Sequence, residues 1–307
     1  MPDKAKLPVV SVVTISYNQA EFLERALTSV LNQKDVSIEY IVIDAGSSDE
    51  SRDIIERFRP HLSQVILERD NGPADGLNRG LTKATGKYFY YLNSDDEVAD
   101  GAFSEAVSIF EQDHDLDVIY GNGVIIDRHG RYVRPAYSSS TMNADLYARG
   151  LSTIVQQATF FRTEALRKAG GFNELNSTCW DGEAALDIAL AGGRFKKVWR
   201  WWGFFRIYEG SISGSGRFEQ AYSADLNRLR EKVFPKPMTK AFRLGTTLRY
   251  LYTRSIDWRR HLDQAFCLLG RNQASTLANR NRVRPIHLQL LLGSPTPSTL
   301  DLLQPNA

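Results

Sequence analysis

Two cysteines, Cys179 and Cys267, stand far apart in 307 residues, and neither belongs to a CxxC or a Cys/His spacing. That excludes a disulfide framework and a zinc site of the usual spacing, and a reducing cytoplasm is the expected compartment. No run approaches the roughly 18 consecutive apolar residues of a membrane-spanning helix. The opening "LPVVSVVTISYN" has lysines ahead of an apolar stretch, but the stretch is short, β-branched and without a small-residue cleavage site. It reads as a strand, not as an export signal. No G-x-G-x-x-G follows this strand, no phosphate-loop pattern occurs, and "GSGRF" at 214–218 matches neither glycine motif. No serine or cysteine elbow is present. Dinucleotide oxidoreductases, phosphate-loop nucleotidases and acyl-transfer hydrolases are thereby disfavoured.

What is present is an ordinary globular composition, 42% hydrophobic and 24% charged. The net charge of +2 hides an uneven distribution. Residues 1–216 hold 23 Lys+Arg against 30 Asp+Glu, a balance of −7, and residues 217–286 hold 15 against 5, a balance of +10. A basic segment of this kind is either a module for an acidic partner or a solvated helical surface.

From Val9 the chain alternates two textures. "VVSVVTI" is a β-branched run, and residues 20–31 place Phe22, Leu23, Ala26, Leu27, Val30 and Leu31 on one helical face. "EYIVI" predicts a strand, residues 49–58 a helix, "QVILE" a strand, residues 74–84 a helix and "YFYYL" a strand. Such alternation builds an α/β fold with an open, mostly parallel sheet and helices on both faces. Beyond Gly101 the pattern predicts a helix to residue 111, a strand "DVIYG" and a hairpin turning at Arg128-His129-Gly130. A strand "QQATFFR", a short helix stopped by Gly170-Gly171, a helix over 182–191 and a strand "FKKVW" follow. "FPKPM" reads as a linker. The expected organisation is a main domain over 1–216, a basic helical extension over 217–290 and a loose tail over 291–307.

In an open α/β sheet ligands bind outside the carboxyl ends of the strands. The first strand ends in "SYNQAE", where Asn18 and Glu21 have the spacing of a helix cap with its returning acid. Tyr17 offers a ring face. The second ends in "IDAGSSDES", where Ser47 and Glu50 have the same spacing, and Asp44 is either a turn-stabilising residue or an acceptor for a ligand hydroxyl or N–H. The third leads through Asp70 to Asp75 and Asn78, one turn apart on the next helix. Only "YFYYLNSDD" ends in two carboxylates, Asp95 and Asp96. Adjacent anions beside an apolar sheet repel unless a cation or hydrogen-bond donors compensate, and a hard divalent cation, Mg2+ or Mn2+, is the simplest compensation.

"VSVVTISYNQAEFLERALTSVLNQ", "IEYIVIDAGSSDES", "ERDNGPADGLNRGLTKATGKYFYYLNSDD" and "FNELNSTCWDGEAALDIALAGGRF" together resemble the family 2 glycosyltransferases. These are inverting enzymes of the GT-A fold, and the flavour is that of bacterial enzymes of exopolysaccharide and surface-glycan synthesis. The likeness runs from about Val9 to about Ser213. It implies a nucleotide-diphospho-sugar donor and a hydroxyl of a glycan or lipid-linked glycan as acceptor. By that resemblance Ser16, Tyr17 and Asn18 line the base pocket, Asp44 binds the base, and Asp75 and Asn78 lie near the diphosphate. Asn93 and Asp95 face the ribose or sugar, and Asp96 holds the metal. Asp181 takes the place of the catalytic base, with Glu183 as second candidate. Trp180 stands where the family often has Glu, and Tyr208 stands where it often has a late His, so either Arg206, Ser211 and Ser213 take over at the diphosphate or the metal is held more weakly. A nucleotidyltransferase would carry a basic glycine-rich loop after the first strand, and a non-catalytic sugar-binding module would have no need of both Asp96 and Asp181.

For the basic segment two readings stand. One is a peripheral helix pair on the anionic cytoplasmic membrane face near a lipid-linked acceptor, the other helices packed on the main domain. No nucleic-acid motif accompanies the charge.

Overall fold

The computed structural model describes residues 9–215 and 217–235, together with Leu248, Arg249, Leu251, Tyr252 and Ser255. Alternation along the strands decides which helix each side chain meets, because successive residues of a strand point to opposite faces. Even-numbered residues of β1 (Val9–Ser16), β2 (Ser37–Asp44) and β4 (Tyr88–Asn93) form one core. There Val10, Val12, Tyr40, Val42, Tyr90 and Leu92 pack against α1 (Ala20–Leu31), α2 (Ser51–Phe58) and α4 (Ala102–Gln112). Odd-numbered Val13, Ile41, Ile43, Phe89 and Tyr91 form the other, against α3 (Pro73–Lys83), α6 (Thr163–Lys168) and α7 (Trp180–Leu190).

The remaining strands are β3 (Gln64–Ile66), β5 (Glu97–Val98), β6 (Val118–Ile126), β7 (Tyr132–Ala136), β8 (Thr159–Arg162) and β9 (Phe195–Arg206). Two further helices are α5 (Ala144–Ala148) and α8 (Glu219–Val233). The sheet order is β3-β2-β1-β4-β8-β6-β9-β5, with β7 on β6. Pairing is parallel from β3 to β4 and between β6 and β9, and β8 runs antiparallel to both of its neighbours. Ser16 lies opposite Asp44 and Ile15 opposite Asn93, so three parallel strands end side by side.

Three expectations change. The predicted break near residue 121 is absent, because β6 runs unbroken through Gly121-Asn122-Gly123. A Cβ at Gly123 would lie 2.9 Å from the Gly203 carbonyl oxygen and 2.7 Å from Val155, so the glycine admits close neighbours and makes no turn. "QQATFFR" also divides: Gln156–Ala158 form a 3-10 turn and only Thr159–Arg162 pair as a strand. β9 extends over twelve residues, well past "FKKVW". α8 lies within the basic extension expected over 217–290. The greater part of that extension, with Cys267, and the tail over 291–307 are outside the described residues. No helix among the described residues is long and apolar enough to cross a membrane.

α3 reaches β1 through Gly80, where a Cβ would stand 2.6 Å from both methyls of Val13. Gly80→Ala is therefore expected to cost about 1–3 kcal/mol by overpacking, despite the better helix propensity of alanine. Urea unfolding checks this as a lowered midpoint, and an unchanged midpoint would refute the close approach.

Candidate active site

The loops after β1 and β2 interlock. Asn18 adopts a left-handed backbone (φ 51°), and its Oδ1 accepts from the Ser48 N–H at 2.8 Å, while its own N–H donates to Ser47 Oγ at 2.8 Å. The expected Asn18/Glu21 cap does not form. Asp49 accepts from the Ala20 N–H at 2.9 Å and Ser51 Oγ from the Gln19 N–H at 3.0 Å, so the second loop caps α1. Glu21 instead pairs with Arg128. The Ser47/Glu50 box is likewise absent, since Ser47 Oγ donates to the Asp44 carboxylate. Asp44 has no exposed surface. It also accepts from the Ser47 N–H and Arg52 Nε, both at 2.9 Å, and so organises the turn.

These loops border a cleft of about 990 Å³ at the carboxyl ends of the strands. Of the residues selected from the sequence, Ser16, Tyr17, Asn18, Asn93, Asp95, Asp96 and Asp181 line it, as do Asp70, Ser211 and Ser213. Asp44, Asp75, Asn78, Glu183 and Arg206 are not among the lining residues. Asp75 pairs with Arg79 and accepts from the Asn71 N–H. Asn78 clamps the backbone of Phe172 from both sides, donating to its carbonyl at 2.7 Å and accepting its N–H at 2.9 Å.

The carboxylate pair after β4 sits in a tight turn closed by the Asp96 N–H on the Asn93 carbonyl. Asp96 is buried, and its carboxylate accepts from the Arg206 backbone N–H at 2.8 Å and from Gln157 Nε2 at 2.7 Å. Arg206 is fully buried too. Its guanidinium pairs with Glu97 at 2.5 Å and donates to the carbonyls of Asp95, Asp127 and Arg128. The sequence placed this arginine at a diphosphate; the structure commits it to the floor beneath the two carboxylates. Tyr208 packs its ring on Phe22 and donates to Gln19 Oε1.

Asp181 lines the same cleft from the first turn of α7. Burial pushes its carboxyl above the usual carboxylate range, and only two backbone N–H groups, its own and that of Gly182, act the other way. Gly182 is required here, because a Cβ would overlap the Tyr147 hydroxyl at 1.6 Å. Asp70 and Asp95 are also raised by burial, and Asp96 well above its ordinary value by burial and then by the Asp95 charge. A cleft with four such carboxylates is poised for cations and protons. Glu183 behaves oppositely: burial alone would raise it, but Lys232, Asn173 and Asn176 more than offset that and hold it below the usual range.

Among the described residues, Ser16 Oγ, Tyr91 OH, Asn93 Oδ1, Gln156 Oε1 and Trp180 Nε1, all of residues that line the cleft, are buried with no hydrogen-bond partner. The Trp180 N–H lies close enough to the Tyr91 hydroxyl to favour its ionised form slightly, though not in hydrogen-bonding geometry. Orphaned polar atoms are costly in a folded interior and are expected where a ligand completes them. For a divalent cation the donor set fits: Asp95, Asp96 and Asn93 Oδ1 are hard oxygens, few enough to leave most positions to water and substrate. No cluster of three His, Cys, Asp or Glu side chains occurs among the described residues.

Reading the sequence did not single out Gln156, Gln157, Arg69, Arg217 or Phe218, all of which line the cleft. The adjacent amides of "QQATFFR", placed before a buried run, were the one local signal for the first two.

An open sheet covered by helices, with its cleft at the strand ends, is the GT-A architecture. The sequence profile of glycosyl transferase family 2 matches residues 11–170, and the chain belongs to that family of glycosyltransferases. An uncharacterized glycosyltransferase of Nostoc sp. is 25% identical over 276 residues, which cover 82% of this chain and 81% of that protein. A PGL/p-HBAD biosynthesis glycosyltransferase of Mycobacterium tuberculosis is 28% identical over 170 residues, 54% of this chain and 64% of that one. Two solved structures share the fold, each at 19% identity. Residues 1–349 of S. aureus TarS in complex with UDP-GlcNAc superpose with a TM-score of 0.61, covering 92% of this chain and 83% of that one. The mannosyltransferase PcManGT of Pyrobaculum calidifontis, with GDP-Man and Mn2+, gives 0.57 over 98% and 80%.

Arg206→Met would leave Glu97 buried without its ion-pair partner and the carbonyls of Asp95, Asp127 and Arg128 without their donor, and is expected to cost about 3–5 kcal/mol. Adding Glu97→Gln should recover part of that loss. Chemical denaturation of the two variants checks this, and a single variant as stable as wild type would contradict the bracing role.

Proposed function

We propose that this glycosyltransferase moves one sugar from a nucleotide-diphosphate donor to a hydroxyl of a glycan or lipid-linked glycan, with inversion at the anomeric carbon, in surface-glycan synthesis. The observation that carries this reading is that Asp181, Asp95 and Asp96 line one cleft, each with its carboxyl raised by burial. Tyr17, 60% exposed at the end of β1, offers a ring face to the nucleobase. Arg69 and Arg217 bring positive charge to the cleft, and Ser211 and Ser213 bring hydroxyls, in the part the sequence assigned to the diphosphate.

In the transfer the ionised Asp181 carboxylate takes the acceptor hydroxyl's proton as that oxygen bonds to the anomeric carbon. The bond from that carbon to the diphosphate oxygen breaks in the same step, so attack and departure are on opposite faces and the configuration inverts. Asp96 would hold a divalent cation, Mn2+ or Mg2+, which would supply positive charge to the leaving diphosphate. PcManGT, described with GDP-Man and Mn2+, is consistent with both requirements.

Release of nucleoside diphosphate from a panel of nucleotide sugars, with acceptor extract and Mn2+, tests this reading. One donor should support release, and Asp181→Asn and Asp96→Ala should each lower it about 100- to 10,000-fold. Full activity in Asp181→Asn would remove it from the role of base. The sign of the pH dependence follows from burial. Asp181 works only when ionised and loses its proton later than an ordinary carboxyl, so kcat/KM should rise with pH through an inflection above the usual carboxylate range and then level off. An inflection within that range would count against this carboxylate as the base.

For the basic segment, the +10 balance of residues 217–286 and the exposed Leu248, Leu251 and Tyr252 support contact with an anionic cytoplasmic membrane surface. The full chain should sediment with vesicles containing anionic lipid and be released by salt. Equal sedimentation with neutral vesicles would reject the electrostatic contact.

A further inference from the structure

Asp181 and Glu183 are two residues apart on α7, and two steps of about 100° place them on nearly opposite faces of the helix. Asp181 therefore meets the cleft while Glu183 turns away from it, toward α8. Glu183 has no exposed surface, and each of its carboxylate oxygens has two polar partners. Oε1 accepts from Asn173 Nδ2 at 2.8 Å and pairs with Lys232 Nζ at 2.6 Å. Oε2 accepts from Asn176 Nδ2 at 2.7 Å and pairs with Arg228 Nη2 at 2.8 Å.

The bonds continue into the loop that leads to the base. Asn176 Oδ1 accepts from the N–H groups of Thr178 and Cys179, at the start of α7. Asp225 on α8 accepts from the Thr178 hydroxyl at 2.7 Å, and Thr178 lines the cleft. One turn beyond Glu183, Asp187 shares Lys232 at 2.9 Å. Leu229 of α8 is buried against Cys179 and Leu186. None of these α8 bonds reaches β1, β2 or β4, whose ends also border the cleft.

We propose that α8 is a positioning element of the transfer site, in which Lys232 and Arg228 act through Glu183 to hold the first turn of α7 and the Asp181 carboxylate in place. This rests on the assignment of Asp181 as the base. Glu183 is then a positioning residue and not a second base, and the basic segment begins with a helix the catalytic unit requires. Displacement of a reacting group by about 1 Å can lower a rate about 100-fold, whereas the donor should bind as before.

The test uses the full chain carrying Lys232→Met, Lys232→Arg, or Lys232→Met together with Arg228→Met. Lys232 is about a third exposed, and Lys232→Met leaves the Arg228–Glu183 pair intact, so this variant keeps the test open if the double variant does not fold. The double variant should lose about 10- to 100-fold in kcat with donor KM within about twofold, Lys232→Met should lose less, and Lys232→Arg should recover most of the rate. Independently of activity, hydrogen exchange of the amides at 176–184 should quicken in the variants while that of β1 and β4 stays unchanged. Unchanged kcat together with unchanged exchange would overturn the proposal. So would exchange that quickens throughout the sheet with donor KM rising as kcat falls, which marks general support. If the wild type transfers no sugar from any donor, the functional reading fails. The exchange measurement then decides alone whether α8 holds this turn.

Discussion

A guanidinium with no access to water must have every charge and donor answered nearby, and Arg206 meets that demand by tying the Asp95–Glu97 segment and the turn after β6 to β9. Its side chain joins Glu97 of β5, the carbonyl of Asp95 and the carbonyls of the turn after β6, and its backbone N–H holds Asp96. Replacing the buried pair would change the floor on which both carboxylates rest, because a buried ion left without its partner is far more costly than the pair is favourable. Gln157 completes the hold on Asp96 from the 3-10 turn before β8. Asp96 can thus stay buried next to Asp95 while both remain at the cleft, with raised affinity for a proton or a cation.

The two walls of the cleft are built differently. The β1–β2 wall is a set of loops that cap each other's helices, with Asp44 as the internal organiser and Tyr17 left exposed at the rim. The α7 wall depends on one helix end held from behind by charged side chains of α8. The family match ends at residue 170, so the shared part of the chain contains the first wall and the carboxylate pair, and Asp181 lies beyond it.

Much of the architecture was legible because periodicity is local. The helix over 20–31 and the strand at "YFYYL" matched within a residue, since apolar spacing of 3.6 or 2 is written directly in the chain. The capping box at Asn18/Glu21 gave way to acceptors from a neighbouring loop 29 or more residues away, which pattern rules cannot see, while Ser47 turned its hydroxyl to the nearby Asp44 instead of capping with Glu50. β6 was broken too early for a non-local reason: a glycine that admits a neighbouring strand looks, in sequence, like one that makes a turn.

For this protein the sequence by itself determined the alternation of strands and helices, the strand ends where polar residues gather, and the presence of paired carboxylates there. These follow from residue type and spacing alone. Only the tertiary structure decided which of those residues face one cleft. It turned Asp181 inward and Glu183 outward, sealed Arg206 beneath the carboxylates, closed Asp44 into its turn, and brought Gln156, Gln157 and Arg217 to the rim from distant parts of the chain. The physical reason is that burial and hydrogen-bond satisfaction depend on neighbours far away in sequence, and those neighbours exist only once the sheet has closed.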